Sequence, residues 1–297
     1  MEWTSLAQLI RIGSQKLVAA SVGEPKRDAT LLLQVLLGVD QIYLLVNPRE
    51  TVPPEVETRY LELIERRSAG EPIQYITGHQ EFYGLDFAVT PAVVIPRPET
   101  ELIVDAVLET HQQVHGTLGQ EAQKVRIVDV GTGSGCLAVT LARHIPEALL
   151  IAIDVSMEAL RVAAENARRH GVADRIGFLQ SDLLSCLSRV AGERTVDFVI
   201  SNPPYVRESE WASLNRAVRD YEPRIALVSG ASPHHFHQRL FSDCALYLRE
   251  CGFLICEIGA GQYPEVLERV DDNQFSLIEM RKDLQGIPRT LVLQKRT

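Results

Sequence analysis

From Glu99 to the C terminus the chain alternates strand-forming and helix-forming stretches, and this alternation restricts its fold more than any other feature. A helix is expected to about His115, then a strand in "KVRIVDV", a helix from Cys136, a strand in "LLIAID" and a helix over "SMEALRVAAENARRHG". Further strands follow in "RIGFLQ", "VDFVIS" and "GFLICEI", with a terminal pair in "FSLIEMR" and "TLVLQK". Strands separated by helical stretches pair in parallel, because each crossover helix carries the chain back to the start of the sheet. Residues 99–297 therefore read as a parallel α/β domain.

The segment before it has a different period. Leu6, Leu9, Ile10, Leu17 and Val18 recur at helical spacing. So do Leu31, Leu32, Val35 and Leu36 up to a Gly38 stop, and Val56, Tyr60, Leu63 and Ile64 after Pro53-Pro54. Residues 1–78 read as a helical domain with no catalytic constellation. Between the two, "HQEFYGLDFAVTPAVVIPRPETE" is rich in aromatic and β-branched residues, with Gly84 as a turn and prolines at 91, 96 and 98. Residues 79–98 are expected to form a β-hairpin linker and hinge.

A chain of 297 residues with 45% hydrophobic residues has room for two cores. The first apolar stretch is broken by Arg11, Gly13 and Lys16, so neither a signal peptide nor a membrane span is expected, and a cytoplasmic location follows. Cysteines 136, 186, 244, 251 and 256 form no C-x-x-C pair and are expected as buried free thiols. A net charge of −9 argues against an exposed basic groove and hence against a stable nucleic-acid partner.

The first chemical motif is "DVGTGSG", Asp129 to Gly135, at a strand end that opens a helix. Gly131, Gly133 and Gly135, with Thr132 and Ser134 between them, permit positive φ and let a ligand approach main-chain N–H groups. A dinucleotide fingerprint would want glycine or alanine at position 136, where Cys136 stands. Asp129 suits a ligand carrying an ammonium and a sulfonium better than a pyrophosphate, which favours S-adenosyl-L-methionine over a nicotinamide dinucleotide. Asp154, at the next strand end, is placed to accept both ribose hydroxyls. In "SDLL", Asp182 can bond an adenine amino group and Leu183 can pack on the ring; Asp182 reads equally well as a helix N-cap.

The second motif is "SNPPY", Ser201 to Tyr205. A residue before proline is pushed out of the helical region, so Asn202 and Pro203 are both extended and the segment is a stiff bracket on a strand end. Parallel strands bring their carboxyl ends to one crevice, so bracket and glycine loop should share a site. A planar amino group is a poor nucleophile until it is held and polarised. The Asn202 side-chain carbonyl and the Pro203 main-chain carbonyl, fixed by Pro204, can receive its two N–H bonds, and Tyr205 can stack on it.

G-x-G-x-G followed by N-P-P-Y is the signature pair of amino-group methyltransferases that use S-adenosylmethionine. More narrowly, the chain resembles the bacterial peptide-chain release-factor glutamine N5-methyltransferases over nearly its whole length. The resemblance rests on "QYITGHQEFYGLDFAVTPAVVIPRPETEL", "IVDVGTGSGCLAVTLA", "AIDVSMEALRVAAENA", "VDFVISNPPYV", "VRDYEPRIAL", "CEIGAGQ" and "DLQGIPRTLVL". It implies a seven-stranded, Rossmann-like methyltransferase domain after a helical domain that grips the acceptor protein. It implies cofactor contacts at Gly131 to Gly135, Asp154, Leu183 and Asn202, with the acceptor glutamine of the GGQ loop of release factors held by Asn202 to Tyr205. Two departures are visible: Leu183 stands where similar proteins commonly carry an aromatic residue, and Gly230-Ala231-Ser232-Pro233 stands where they commonly read G-A-D-G. The adjacent histidines 234, 235 and 237 read as an exposed helix start rather than a metal site. The rival readings are an adenine-N6 methyltransferase on DNA or RNA, which uses the same bracket on a flipped base, and a module that binds the nucleoside without turnover.

Overall fold

The structure, a computed structural model, describes residues 3–115, 124–187, 195–230, 232 and 234–297. Two compact units emerge, one of Met1–His79 with Asn215–Tyr221, the other of Gln80–Leu214 with Glu222–Thr297.

The first unit is helical. Helices α1 (Leu6–Ala19), α2 (Pro25–Leu37) and α4 (Pro54–Ser68) enclose its core, with the short α3 (Gln41–Val46) and α5 (Ile73–Thr77) beside them. Ser5 and Gln8 close a capping box at the start of α1, and α2 ends on Gly38 at φ 66°. Leu6, Leu9, Leu17, Leu32, Leu33, Tyr60 and Ile64 are buried together. A Cβ on Gly13 would stand 2.2 Å from the Tyr60 hydroxyl, which donates to the Ala29 carbonyl at 3.1 Å, so glycine lets α1 and α4 approach. Val18 and Val35, which share the helical period, are exposed. In α1 the stripe Leu6, Leu9, Gly13 and Leu17 makes the contact, and Val18 lies about 100° round the helix from it. Two-residue strands β1 (Thr4–Ser5) and β2 (Thr51–Val52) pair antiparallel in the same unit.

The second unit begins with the hairpin β3 (His79–Phe82) and β4 (Leu85–Ala88), turning through Tyr83 and Gly84 at positive φ. Phe82 and Phe87 are buried in the main core, and Asn166 holds Ala88 through both its N–H and its carbonyl. Residues 80–98 thus fall within this unit. Seven strands form its sheet: β5 (Val125–Val130), β6 (Ala148–Asp154), β7 (Ile176–Gln180), β8 (Val196–Ser201), β9 (Leu248–Glu257), β10 (Phe275–Lys282) and β11 (Pro288–Lys295), in the order β10-β11-β9-β8-β5-β6-β7. The β5 to β9 pairs are parallel; β11 runs antiparallel between β9 and β10. Strand β8 is buried throughout, which is why "VDFVIS" is an apolar run apart from Asp197 and the terminal Ser201. Helices α6 (Glu101–His115), α7 (Cys136–His144) and α8 (Met157–Arg169) contribute to one core, and α9 (His235–Tyr247) and α10 (Tyr263–Leu267) to the other.

Two expectations are corrected. His234 and His237 at the start of α9 are buried, because His237 Nε2 donates to the Glu257 carbonyl at 3.0 Å and His234 Nε2 meets Glu265 at 2.6 Å; only His235 is exposed. All five cysteines are free, but Cys251 is exposed and Cys136 and Cys186 are half-buried. Ala231 and Pro233 of the departure at 230–233 lie outside the described residues.

Candidate active site

Strand order reverses at β5, with β6 on one side and β8 on the other, and ligands of open α/β sheets bind at such a switch point. A cleft of about 610 Å³ lies there, over the carboxyl ends of the parallel strands. It is lined by Gly131 to Ser134, Asp154, Asp182, Leu183 and Ser201 to Tyr205, together with Val93 to Arg97, Thr100 and Leu227. Its volume lies in the range of small-molecule sites, about 300–1,000 Å³.

The loop after β5 holds Gly131, Gly133 and Gly135 at φ 73°, 54° and 79°. Four of its amides are taken within the protein. Gly131 and Thr132 donate to the Ile153 carbonyl at 2.8 and 2.9 Å, Gly133 to Asp154 Oδ2 at 2.9 Å and Gly135 to the Thr132 carbonyl at 2.8 Å. With these four amides engaged, the loop presents a shaped backbone platform. At Gly131 and Gly133 nothing lies within 4 Å of where a Cβ would stand, so a ligand can rest against bare backbone. Gly135 has another role: a Cβ there would meet Ala163 Cβ at 3.0 Å, so it sets the packing of the loop on α8. Asn166 extends from α8 to the Ser134 carbonyl at 2.8 Å and joins loop and hairpin.

Asp154 stands half-buried on the cleft wall and accepts from Gly133 and Ser156 amides, both at 2.9 Å. Burial raises its carboxyl above the usual range. Asp129 is placed differently from the expectation. It is fully buried behind the loop, outside the cleft lining, and accepts from the Thr132 hydroxyl at 2.6 Å. Burial pushes its carboxyl up to about 7. Asp182 is exposed at the cleft and pairs with Arg239 at 2.9 Å, while Ser181 Oγ accepts from Cys186 N at 3.1 Å. Leu183 is buried at φ 50°, a conformation few bulky residues adopt.

At the end of β8, Ser201 Oγ donates to the Val130 carbonyl at 2.7 Å and joins the bracket to the glycine strand. Asn202 Nδ2 donates to Thr100 Oγ1 at 3.0 Å, and Thr100 Oγ1 donates to Glu257 Oε2 at 2.6 Å. Tyr205 Oη donates to the other oxygen of Glu257 at 3.2 Å, and its carbonyl accepts from Gln262 Nε2 at 2.8 Å. Glu257 is 1% exposed, and burial raises its carboxyl to about 7; burial, and then the neighbouring Glu257 charge, raise the Tyr205 phenol well above its usual range. Arg97, at the cleft edge, pairs with the buried Glu222, which also accepts from Ile95 N at 3.2 Å.

Sequence reasoning did not assign roles to Glu257, Gln262 or Glu222, although the stretches that contain them, "CEIGAGQ" and "VRDYEPRIAL", stood out. A glutamate ending a buried strand is the signal that was available.

Comparison with known proteins adds the family. The chain is 40% identical over 293 residues to "Release factor glutamine methyltransferase" of Koribacter versatilis (strain Ellin345), covering 99% of each chain. The chain belongs to this family. Members of the same name from Nitratidesulfovibrio vulgaris and Bacillus subtilis are 36% and 37% identical, over 98% and 91% of this chain and 95% and 91% of their own. The PrmC N-terminal domain family matches residues 8–78 and the Methyltransferase small domain family matches residues 112–220. Among solved structures, the hMettl16 catalytic domain in complex with MAT2A 3′UTR hairpin 1 superposes with a TM-score of 0.53 at 16% identity, covering 83% of each chain. A methyltransferase from Pyrococcus furiosus gives 0.50 at 15% identity, covering 81% of this chain and 99% of that one. These two likenesses concern the fold of the methyltransferase.

Proposed function

We propose that the chain transfers the methyl group of S-adenosyl-L-methionine to the side-chain amide nitrogen of the glutamine in the GGQ loop of peptide-chain release factors. The observation that supports this reading is the Asn202 amide, which lines the cleft and whose Nδ2 donates to Thr100, a contact that turns its carbonyl oxygen away from Thr100. The cleft suits the cofactor: bare backbone at Gly131 and Gly133, a strand-end carboxylate at Asp154 and the apolar Leu183 offer surfaces for its aliphatic, ribose and adenine parts. When bound, it supplies an electrophilic methyl group on a sulfonium.

The chain's own residues do the rest by positioning. The lone pair of an amide nitrogen is delocalised, so the nitrogen must be held in line with the methyl carbon. The Asn202 side-chain carbonyl and the Pro203 main-chain carbonyl receive the two N–H bonds and draw charge toward the nitrogen as it attacks. Tyr205 stacks on the planar group. The nitrogen then sheds a proton to water, giving N5-methylglutamine. Residues 1–78 dock the acceptor protein; α3 exposes Ile42, Leu45 and Val46, an apolar set of the kind that marks a protein contact. The net charge of −9 supports a protein acceptor over a phosphate backbone.

Incubation with methyl-labelled cofactor and, separately, purified release factor or DNA, followed by peptide mass mapping, tests the reading. Label on the GGQ glutamine is the expected result, with a glutamate-substituted acceptor rejected by roughly 10⁴–10⁵ because it offers the two carbonyls no donors. Label on DNA alone would transfer the reading to adenine.

A further inference from the structure

Glu257 is the hub of the bracket's support, and its chemistry limits what Asn202 can present. The Thr100 hydroxyl has a single hydrogen, and an ionised carboxylate only accepts. That hydrogen therefore lies on the 2.6 Å contact with Glu257, and the Thr100 oxygen is left to accept across the 3.0 Å contact with Asn202. Only the NH₂ end of the Asn202 amide can donate there, so Oδ1 turns to the cleft. With a proton on Glu257 directed at Thr100, the order inverts. The Thr100 hydrogen then faces Asn202, the amide meets it with Oδ1, and NH₂ turns to the cleft, where it opposes the N–H bonds of an incoming amide.

We propose that Glu257 is a positioning residue for methyl transfer, which acts through the Thr100 hydroxyl to present the Asn202 carbonyl oxygen to the acceptor and through the Tyr205 hydroxyl to hold the far end of the bracket. The inference rests on the acceptor reading given above. It draws on residues far apart in sequence: Thr100 precedes α6, Asn202 and Tyr205 follow β8, and Glu257 ends β9.

Several groups face Glu257. Burial is the main influence and raises its carboxyl to about 7; the Thr100 and Tyr205 hydroxyls and the Arg289 charge on β11 oppose this, and Glu99 adds to it. The charge of Glu257 also acts on Cys136 at the start of α7 and on the adjacent Cys256 of β9, that of Arg97 acts on Tyr205, and His237 of α9 donates to the Glu257 main-chain oxygen. The ionised form is the one that orients Asn202, so transfer should fall as pH drops through this range.

The test is single-turnover transfer to whole release factor at saturating cofactor, from about pH 5.5 to 8.5, with cofactor affinity measured by calorimetry. Wild type is expected to lose rate on the acid side. Thr100→Val removes the relay and is expected to slow transfer about 10²-fold, with no acid-side fall and unchanged cofactor affinity, while Thr100→Ser restores both rate and profile. Glu257→Gln, of equal size, is expected to be slow and independent of pH across the range. Thr100→Val at the wild-type rate, or a wild-type rate that is flat with pH, overturns the positioning role; so does a Glu257→Gln variant that keeps the acid-side fall, even where Thr100→Val does not fold. A wild type that transfers no methyl to release factor defeats the acceptor reading itself.

Discussion

Asp154 accepts the backbone N–H of Gly133 at 2.9 Å, so the acid at the end of β6 also shapes the loop at the end of β5. Asp154→Ala removes the proposed ribose partner and this brace together. Loss of charge-assisted hydrogen bonds worth about 1.5–3 kcal/mol should weaken cofactor binding about 10- to 10²-fold by calorimetry. Asp154→Asn retains an acceptor for Gly133 and should lose less. Equal affinity in the alanine variant would leave the ribose without its partner.

The glycines of the loop should separate by measurement. Gly135→Ala places a Cβ 3.0 Å from Ala163 at φ 79°, so overpacking of about 1–3 kcal/mol adds to about 1 kcal/mol of backbone strain. Gly133→Ala carries only the strain, since its Cβ would meet open space. Thermal unfolding should show a loss of roughly 4–10 °C for Gly135→Ala and a distinctly smaller one for Gly133→Ala. The same Tm for both would remove the packing role of Gly135.

Buried Asp129 gives the stability a pH dependence whose sign can be worked out. Its carboxyl is raised to about 7 by burial, above its unfolded value near 3.8, so the folded state keeps a proton that the unfolded chain releases between those pH values. The stabilisation is complete below the unfolded value and is lost as pH rises through about 7. Glu257, raised to about 7 by burial, acts in the same direction. Asp129→Asn keeps an acceptor for Thr132 and removes the titration. The Tm of this variant should gain on wild type as pH rises from about 5 to 8. A constant difference would place the titration elsewhere.

The apolar set on α3 tests docking. Leu45 and Val46 are 70% and 71% exposed, so Leu45→Glu and Val46→Glu should leave Tm and cofactor affinity unchanged. KM for release factor should rise about tenfold if these side chains are contact anchors. An unchanged KM would remove α3 from the docking surface.

Much of the fold was legible because it is written in local periods. The alternation after Glu99 marks all seven strands, and Gly38 and Pro54 mark real helix ends in the first unit. Helix α3 and strands β1 and β2 are too short to show a period, and their stability comes from packing. At the site, Asp154, Leu183 and the Asn202 bracket line one cleft because parallel strand ends converge. The burial of Asp129 and the engagement of the loop amides depend on the distance from β5 to β6, which no local pattern encodes. The contact between Thr100 and Glu257 spans 157 positions and depends on how α6 seats on the sheet. The hairpin's aromatic residues gave the correct element but not its place in the second core, which depends on Asn166.

The bracket at Asn202 is best tested by Asn202→Ala in single-turnover transfer to whole release factor at saturating cofactor, with affinity measured alongside. Removal of one polarising acceptor should lower the rate by about 10²–10³, by analogy with loss of one oxyanion-hole donor, while cofactor affinity changes little. Methyl transfer by Asn202→Ala at the wild-type rate would mean that Ser201 to Tyr205 only stop a strand.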